Sequence, residues 1–230
     1  MKTLLTIIIS CLLIGTQPRK EIYDKGEFIF SVKIYDNEQE MKLRFFPVQY
    51  TGDNKEEFDN AWELTKDNLI DKNTVVYLGM EIMEGKINGN QKPYQYKYYN
   101  SEFEKIGMEA TGMIENDSTI WLHPPRDRYF KILELNPFPE IQFDKENWQT
   151  TLEVGEHWGN ERWKTWKGNI IINSDYSYNR DDGKVTAIAN SELGITHLVT
   201  DFDKMNGLKK LDYTNIDGSR IVLELIEKRE

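Results

Sequence analysis

The segment Trp121-Leu122-His123-Pro124-Pro125-Arg126-Asp127-Arg128-Tyr129 gathers an imidazole, two guanidinium groups and a carboxylate on one short stretch. An arginine pair beside a histidine would grip a carboxylate or phosphate through bidentate hydrogen bonds. The imidazole itself would suit general-base work near neutral pH. Two adjacent prolines lower the entropy cost of holding one shape. His123, Arg126 and Arg128 are therefore the first candidates for polar groups at the rim of a binding site. The same residues also suit a structural crossover, in which an arginine satisfies buried carbonyls and Asp127 balances its charge.

Tryptophan is the second source of chemistry. Trp148, Trp158, Trp163 and Trp166 fall close together, in a chain that holds 6 tryptophans altogether. Flat aromatic faces stack on sugar rings, and aromatic bodies line lipid pockets. The competing use is a large aromatic core, because each indole buries much apolar area. Trp158, Trp163 and Trp166 join the candidate ligand-binding set.

Other chemistries find little footing, so no catalytic residue, metal ligand or cofactor is assigned. His197 lies in an alternating strand with Ile195, Val199 and Asp201 on its face, where packing explains it. His157 and Glu161 have the spacing of two metal ligands on a helix, but Gly155 and Gly159 break that helix and no third ligand is evident. Asp201-Phe202-Asp203-Lys204-Met205-Asn206-Gly207 begins like a calcium loop, yet Met205 and the late glycine put the register wrong. There is no G-x-S-x-G nucleophile elbow. Among 39 acidic residues no glycosidase-like carboxylate pair can be named from sequence.

The elements that would position such groups begin with an address. Lys2 precedes an apolar run from Leu4 to Ile14, and Gly15, Thr16 and Gln17 then change the composition abruptly. That is the layout of a secretory signal peptide, and the run is too short for a membrane span of roughly 20 residues. Ile8-Ile9-Ser10-Cys11 also has the look of a degenerate lipobox. The apolar Leu12, Leu13 and Ile14 that follow favour simple cleavage near Gly15 to Gln17 over lipidation at Cys11. The expected organisation is a signal peptide over 1–17 and one domain over 18–230. The mature chain would be exported, to the periplasm, the outer membrane or the medium, without a transmembrane helix. It would hold 28 basic against 39 acidic residues and no thiol, so burial rather than disulfides must stabilise it.

The net charge of −10 excludes a general nucleic-acid binder, which needs a basic face to displace phosphate counterions. Hydrophobic residues at 39% and aromatics at 12% suffice for a core. The pattern is that of strands. Phe28, Phe30, Val32 and Ile34 alternate with polar positions, as do Met41, Leu43 and Phe45 and then Tyr94, Tyr96 and Tyr98. Further strands are expected at Val75 to Met83, Ile106 to Ile114, Ser118 to Leu122, Trp148 to Val154 and Lys167 to Tyr178. Four more follow at Lys184 to Ala189, Gly194 to Phe202, Leu208 to Thr214 and Arg220 to Ile226. Asn88-Gly89, Asp182-Gly183, Asn206-Gly207 and Asp217-Gly218 supply tight turns. One short helix is expected within Glu56 to Ile70, and His123 to Pro139 reads as irregular. The fold class is all-β or β-rich α+β, a curved antiparallel sheet, open barrel or sandwich built from hairpins.

Val154-Gly155-Glu156-His157-Trp158, with the closing stretches Gly207-Leu208-Lys209-Lys210-Leu211-Asp212-Tyr213 and Ile216-Asp217-Gly218-Ser219-Arg220, resembles uncharacterised bacterial exported β-rich proteins. Those are similar in outline to open-barrel lipoprotein carriers, in which a curved sheet cups a helix and an acyl chain. The resemblance implies a non-enzymatic domain that binds an apolar or amphipathic small molecule or an envelope protein. Two alternatives stand beside it: a hydrolase of glycans or esters with His123 or His157 as general base, and a purely structural envelope protein.

Overall fold

The computed structural model describes residues 21–48, 61–67, 69–87, 89–155 and 169–230. The expected signal peptide, Cys11, His157, Glu161 and the tryptophans at 158, 163 and 166 lie outside them.

The fold is one large antiparallel sheet. Its strands are β1 (Glu27–Asp36), β2 (Gln39–Phe45), β3 (Trp62–Thr65), β4 (Tyr77–Ile82), β5 (Lys92–Tyr99), β6 (Lys105–Glu115) and β7 (Thr119–Leu122). After a helical crossover come β8 (Glu140–Gln142), β9 (Asn147–Val154), β10 (Ile170–Asn179), β11 (Lys184–Ser191), β12 (Gly194–Asp203), β13 (Gly207–Thr214) and β14 (Arg220–Arg229). The path runs β8-β7-β6-β5-β4-β1-β14-β13-β12-β11-β10-β9, and β2 with β3 forms a side flap on β1. The two terminal strands do not pair with each other, so the sheet curls without closing.

Period-2 alternation places the side chains. In β10 every second residue from Ile170 to Tyr178 is buried and the intervening ones are exposed. Phe28, Phe30, Ile34, Met41, Leu43 and Phe45 are buried as their alternation predicts. Ile29, on the opposite side of β1, is buried as well. The β1–β2 hairpin turns at Asn37 and Glu38, both at positive φ, which matches the right-handed twist of the flanking strands.

The helical expectation is corrected in place. Trp62 to Thr65, inside the stretch read as a short helix, is a strand, with Trp62 opposite Phe45 and Leu64 opposite Leu43. The alternation of Trp62 and Leu64 wins because β2 offers a free edge to pair with. The helix lies instead at Arg128–Leu135, a 3₁₀ segment within the stretch read as irregular. It buries Tyr129, Phe130, Ile132, Leu133 and Leu135 inside the curl. Phe130 meets Tyr98 at 5.2 Å and Phe45 at 6.4 Å between ring centroids. On the other side, Thr196 donates to the Leu135 carbonyl at 2.9 Å and Tyr129 bonds Ser219 at 3.3 Å. This segment therefore ties the β5 side of the sheet to the β12–β14 side, and the chain fills its own concavity.

Candidate functional site

His123 leaves the end of β7. Its carbonyl accepts hydrogen bonds from the Tyr96 hydroxyl at 3.0 Å and from that of Tyr94, both on β5. Its ring packs edge-on against Phe138 at 4.9 Å. Nδ1 lies 2.8 Å from the Pro124 carbonyl and Nε2 3.9 Å from Glu134 Oε1. Burial, assisted by the nearby Arg126 charge, drives the imidazole pKa down to about 4 despite the bond to Pro124. The ring is neutral at physiological pH and a weak base.

Arg126 is the half-exposed member, with its guanidinium 3.7 Å from Glu109 Oε2 and 4.0 Å from Glu134 Oε1. Glu109, on β6, anchors the crossover. Its Oε1 accepts the Arg126 N–H at 2.8 Å, the Asp127 N–H at 3.2 Å and the Tyr98 hydroxyl. Burial nevertheless raises its carboxyl to about 7, because the hydrogen bonds only partly offset desolvation and Asp127 adds repulsion. Burial also raises Glu134, against the opposing pull of Arg126 and Lys131.

Arg128 turns the other way. At a φ of 52°, its backbone swings the guanidinium over the Phe45 ring, 4.3 Å from the centroid. Nη1 reaches the Ala61 carbonyl at 3.5 Å and Nε lies 3.7 Å from Asp127. Only 10% of its side chain is exposed. Of the three residues singled out in sequence, His123 and Arg126 meet around Glu134, whereas Arg128 is committed to a buried carbonyl. Glu109 and Glu134 were not singled out. The strand parity that buries Met113 faces Glu109 and Glu115 inward too, and that was the available signal. Glu134 had none, since its segment showed no regular period.

A second feature lies on β9–β11. Trp148 and Tyr176 point inward, stacked at 5.0 Å with an 8° interplanar angle. Their neighbours Asn147, Gln149, Asp175 and Ser177 therefore face outward, beside Thr186 and Ile188 of β11. Together they bound an open concavity of about 580 Å³. Gln149 donates to Asp175 at 2.6 Å within it. Ile188 is 48% exposed there, and Ile195 on β12 and Ile171 on β10 are exposed nearby. The surface is amphipathic, with the aliphatic Ile188 on its β11 side and amide, carboxylate and hydroxyl groups around the rest.

No protein-family model and no curated protein matches the chain. Two solved structures show a likeness in outline. A "putative exported protein with YmcC-like fold" from Bacteroides fragilis is 8% identical, covers 92% of this chain and 98% of its own, and gives a TM-score of 0.37. A "putative lipoprotein" from Parabacteroides distasonis is 10% identical, covers 89% and 96% respectively, and gives 0.33. Among the described residues no helix is long and apolar enough to cross a membrane.

Proposed function

We propose that this is an exported binding domain whose ligand is a single-chain amphiphile or an amphipathic segment of an envelope partner, docked in the outer concavity of β9–β11. The observation that carries the reading is the placement of bulk. The concave interior is taken by Tyr129, Phe130, Ile132 and Leu133, each at most 1% exposed. The outer concavity is open and bears the exposed Ile188 beside polar groups able to fix an orientation. Export rests on the charged, apolar and small-residue layout of residues 1–17. Arg126, the one half-exposed cation of the crossover, would be a separate contact for an anionic group.

The test is a titration with lysophosphatidylcholine below its critical micelle concentration, followed through isoleucine methyl resonances. Ile188 and Ile195 should shift together and saturate, and Ile188→Asp should abolish the effect while leaving the fold intact. Shifts absent from these methyls would overturn the reading for lipid amphiphiles and for this face.

A second reading, hydrolysis of esters or glycans, draws on Glu109 and Glu134, which flank Arg126 beside His123. With His123 held near 4 and Glu109 near 7, Glu109 rather than the histidine would be the acid–base group. Turnover of a chromogenic ester or glycoside that vanishes in Glu109→Gln would favour it over the binding reading.

A further inference from the structure

The two ends of the sheet are finished differently. β8, at one end, has only three residues and follows Pro137 and Pro139, which limit strand pairing. β9, at the other, runs for eight residues, Asn147-Trp148-Gln149-Thr150-Thr151-Leu152-Glu153-Val154, without proline, lysine or a register break against β10. Among the described residues no strand pairs with its second edge.

The hydrogen-bond phase of that edge can be read directly. The Tyr178 N–H donates to the Glu146 carbonyl at 2.7 Å, and the register continues as Tyr176 with Trp148 and Ser174 with Thr150. Even-numbered residues of β9 therefore bond β10. The amides and carbonyls of Asn147, Gln149, Thr151 and Glu153 point away from the sheet.

We infer that this edge pairs with the same edge of a second copy of the chain, antiparallel about a two-fold axis through Thr151. A two-fold through Thr151 brings outward-bonding residues opposite one another: Thr151 faces Thr151 of the second copy, and Gln149 faces Glu153 in both directions. No like charges meet, a Thr–Thr pair sits at the centre, and each carboxylate faces an amide. On the inner face Thr150 meets Leu152 and Trp148 meets Val154, with no charge on that side. A closed isologous contact of this kind continues the sheet across the axis and removes the open edge. The pairing does not rest on the ligand reading: it uses the backbone edge of β9 about Thr151, and although Gln149 also borders the outer concavity, dimerisation is read without ligand.

A single pair of eight-residue edges is a small interface, so the dimer is weak and concentration-dependent. Sedimentation velocity on the full chain over a concentration series should show reversible dimerisation. Thr151→Lys puts two ammonium groups opposite each other at the axis and should leave a monomer with unchanged circular dichroism. Gln149→Lys faces Glu153 of the second copy and should tighten the dimer by about fivefold. A monomer at all concentrations up to about 1 mM, the weak end of specific association, would overturn the inference. So would a Thr151→Lys variant that still dimerises, or a Gln149→Lys variant that leaves the dissociation constant unchanged. Should Thr151→Lys fail to fold, the Gln149→Lys result decides.

Discussion

The outer surfaces of the two sides of the sheet use the same alternation to opposite ends. On β1, β4 and β5 the outward residues cover one another. Ile29 is fully buried there. Around it Tyr99 donates to Glu27 at 2.7 Å, and Lys97 lies 2.8 Å from Glu81 and 3.7 Å from Glu27. Nearby, Tyr77 and Phe103 stack at 4.3 Å with Arg229 over the second ring. On β10–β12 the outward isoleucines at 171, 188 and 195 stand open among amides and hydroxyls. A covered aliphatic residue contributes to stability, whereas an uncovered one beside a concavity contributes nothing until something docks on it. The first side is therefore covered outside and in, whereas the second leaves its outer face open, and that is the face on which the proposed docking would act.

The largest expected effect contrasts the helical plug with the open face. Phe130→Ala removes a fully buried ring that touches Phe45, Tyr98 and Tyr129, and should cost about 3–5 kcal/mol in urea unfolding. Ile188→Ala should change stability by no more than about 0.5 kcal/mol. Near-equal losses would break the comparison, since they would mean that Ile188 is already covered.

The next effect separates the groups around the crossover by pH. Glu109 has its folded pKa raised from 4.5 to about 7. The folded state then holds the proton more tightly, so this contribution is complete below pH 4.5 and is lost as pH rises through 7. His123 is the reverse, lowered from 6.5 to about 4. Its contribution is present above pH 6.5 and is lost as pH falls through 4. Each shift corresponds to about 3 kcal/mol, so between pH 4.5 and 6.5 the two slopes nearly cancel. Glu109→Gln should uncover the histidine alone, with stability that climbs from pH 4 to 6.5 and no longer declines from 6.5 to 7 on account of residue 109. Asp127 and Glu134, also raised by burial, tilt the wild-type profile in the same direction as Glu109. A Glu109→Gln profile parallel to wild type would place the carboxylate in water.

Strand parity made most of the sheet legible in advance. Turn residues set the β10–β11, β12–β13 and β13–β14 hairpins, and alternating apolar positions in β1, β2 and β5 gave their buried faces. The crossover was less legible. Its proline pairs and mixed charges carry no period, and its 3₁₀ segment is too short and too tightly wound to show a helical one. The flap strand β3 was ambiguous because four residues cannot separate a period of 2 from one of 3.6. Around the site, the histidine and arginines stood out by type, but their partners did not. Glu109 approaches Arg126 and Asp127 only because β6 runs beside β7 and the start of the crossover stays alongside β6. That is a property of topology and not of spacing.

The two arginines of the crossover offer the finest test of the distinction between structural and contact surface. They sit two residues apart, yet Arg126 is 45% exposed and Arg128 only 10%. Arg128→Met keeps an apolar stem over Phe45 but removes the bond to the Ala61 carbonyl and leaves Asp127 without its nearby cation. A loss of about 2 kcal/mol is expected in chemical unfolding. Arg126→Met breaks only long, half-solvated contacts to Glu109 and Glu134, and should cost less than about 1 kcal/mol. The ordering follows from geometry: a guanidinium held against a ring and a buried carbonyl has no water to fall back on, whereas one at the surface exchanges a carboxylate for solvent. If Arg126→Met proved the costlier change, its bridge between the two carboxylates would be what holds the crossover on β6, and Arg126 would belong to the frame rather than to the surface.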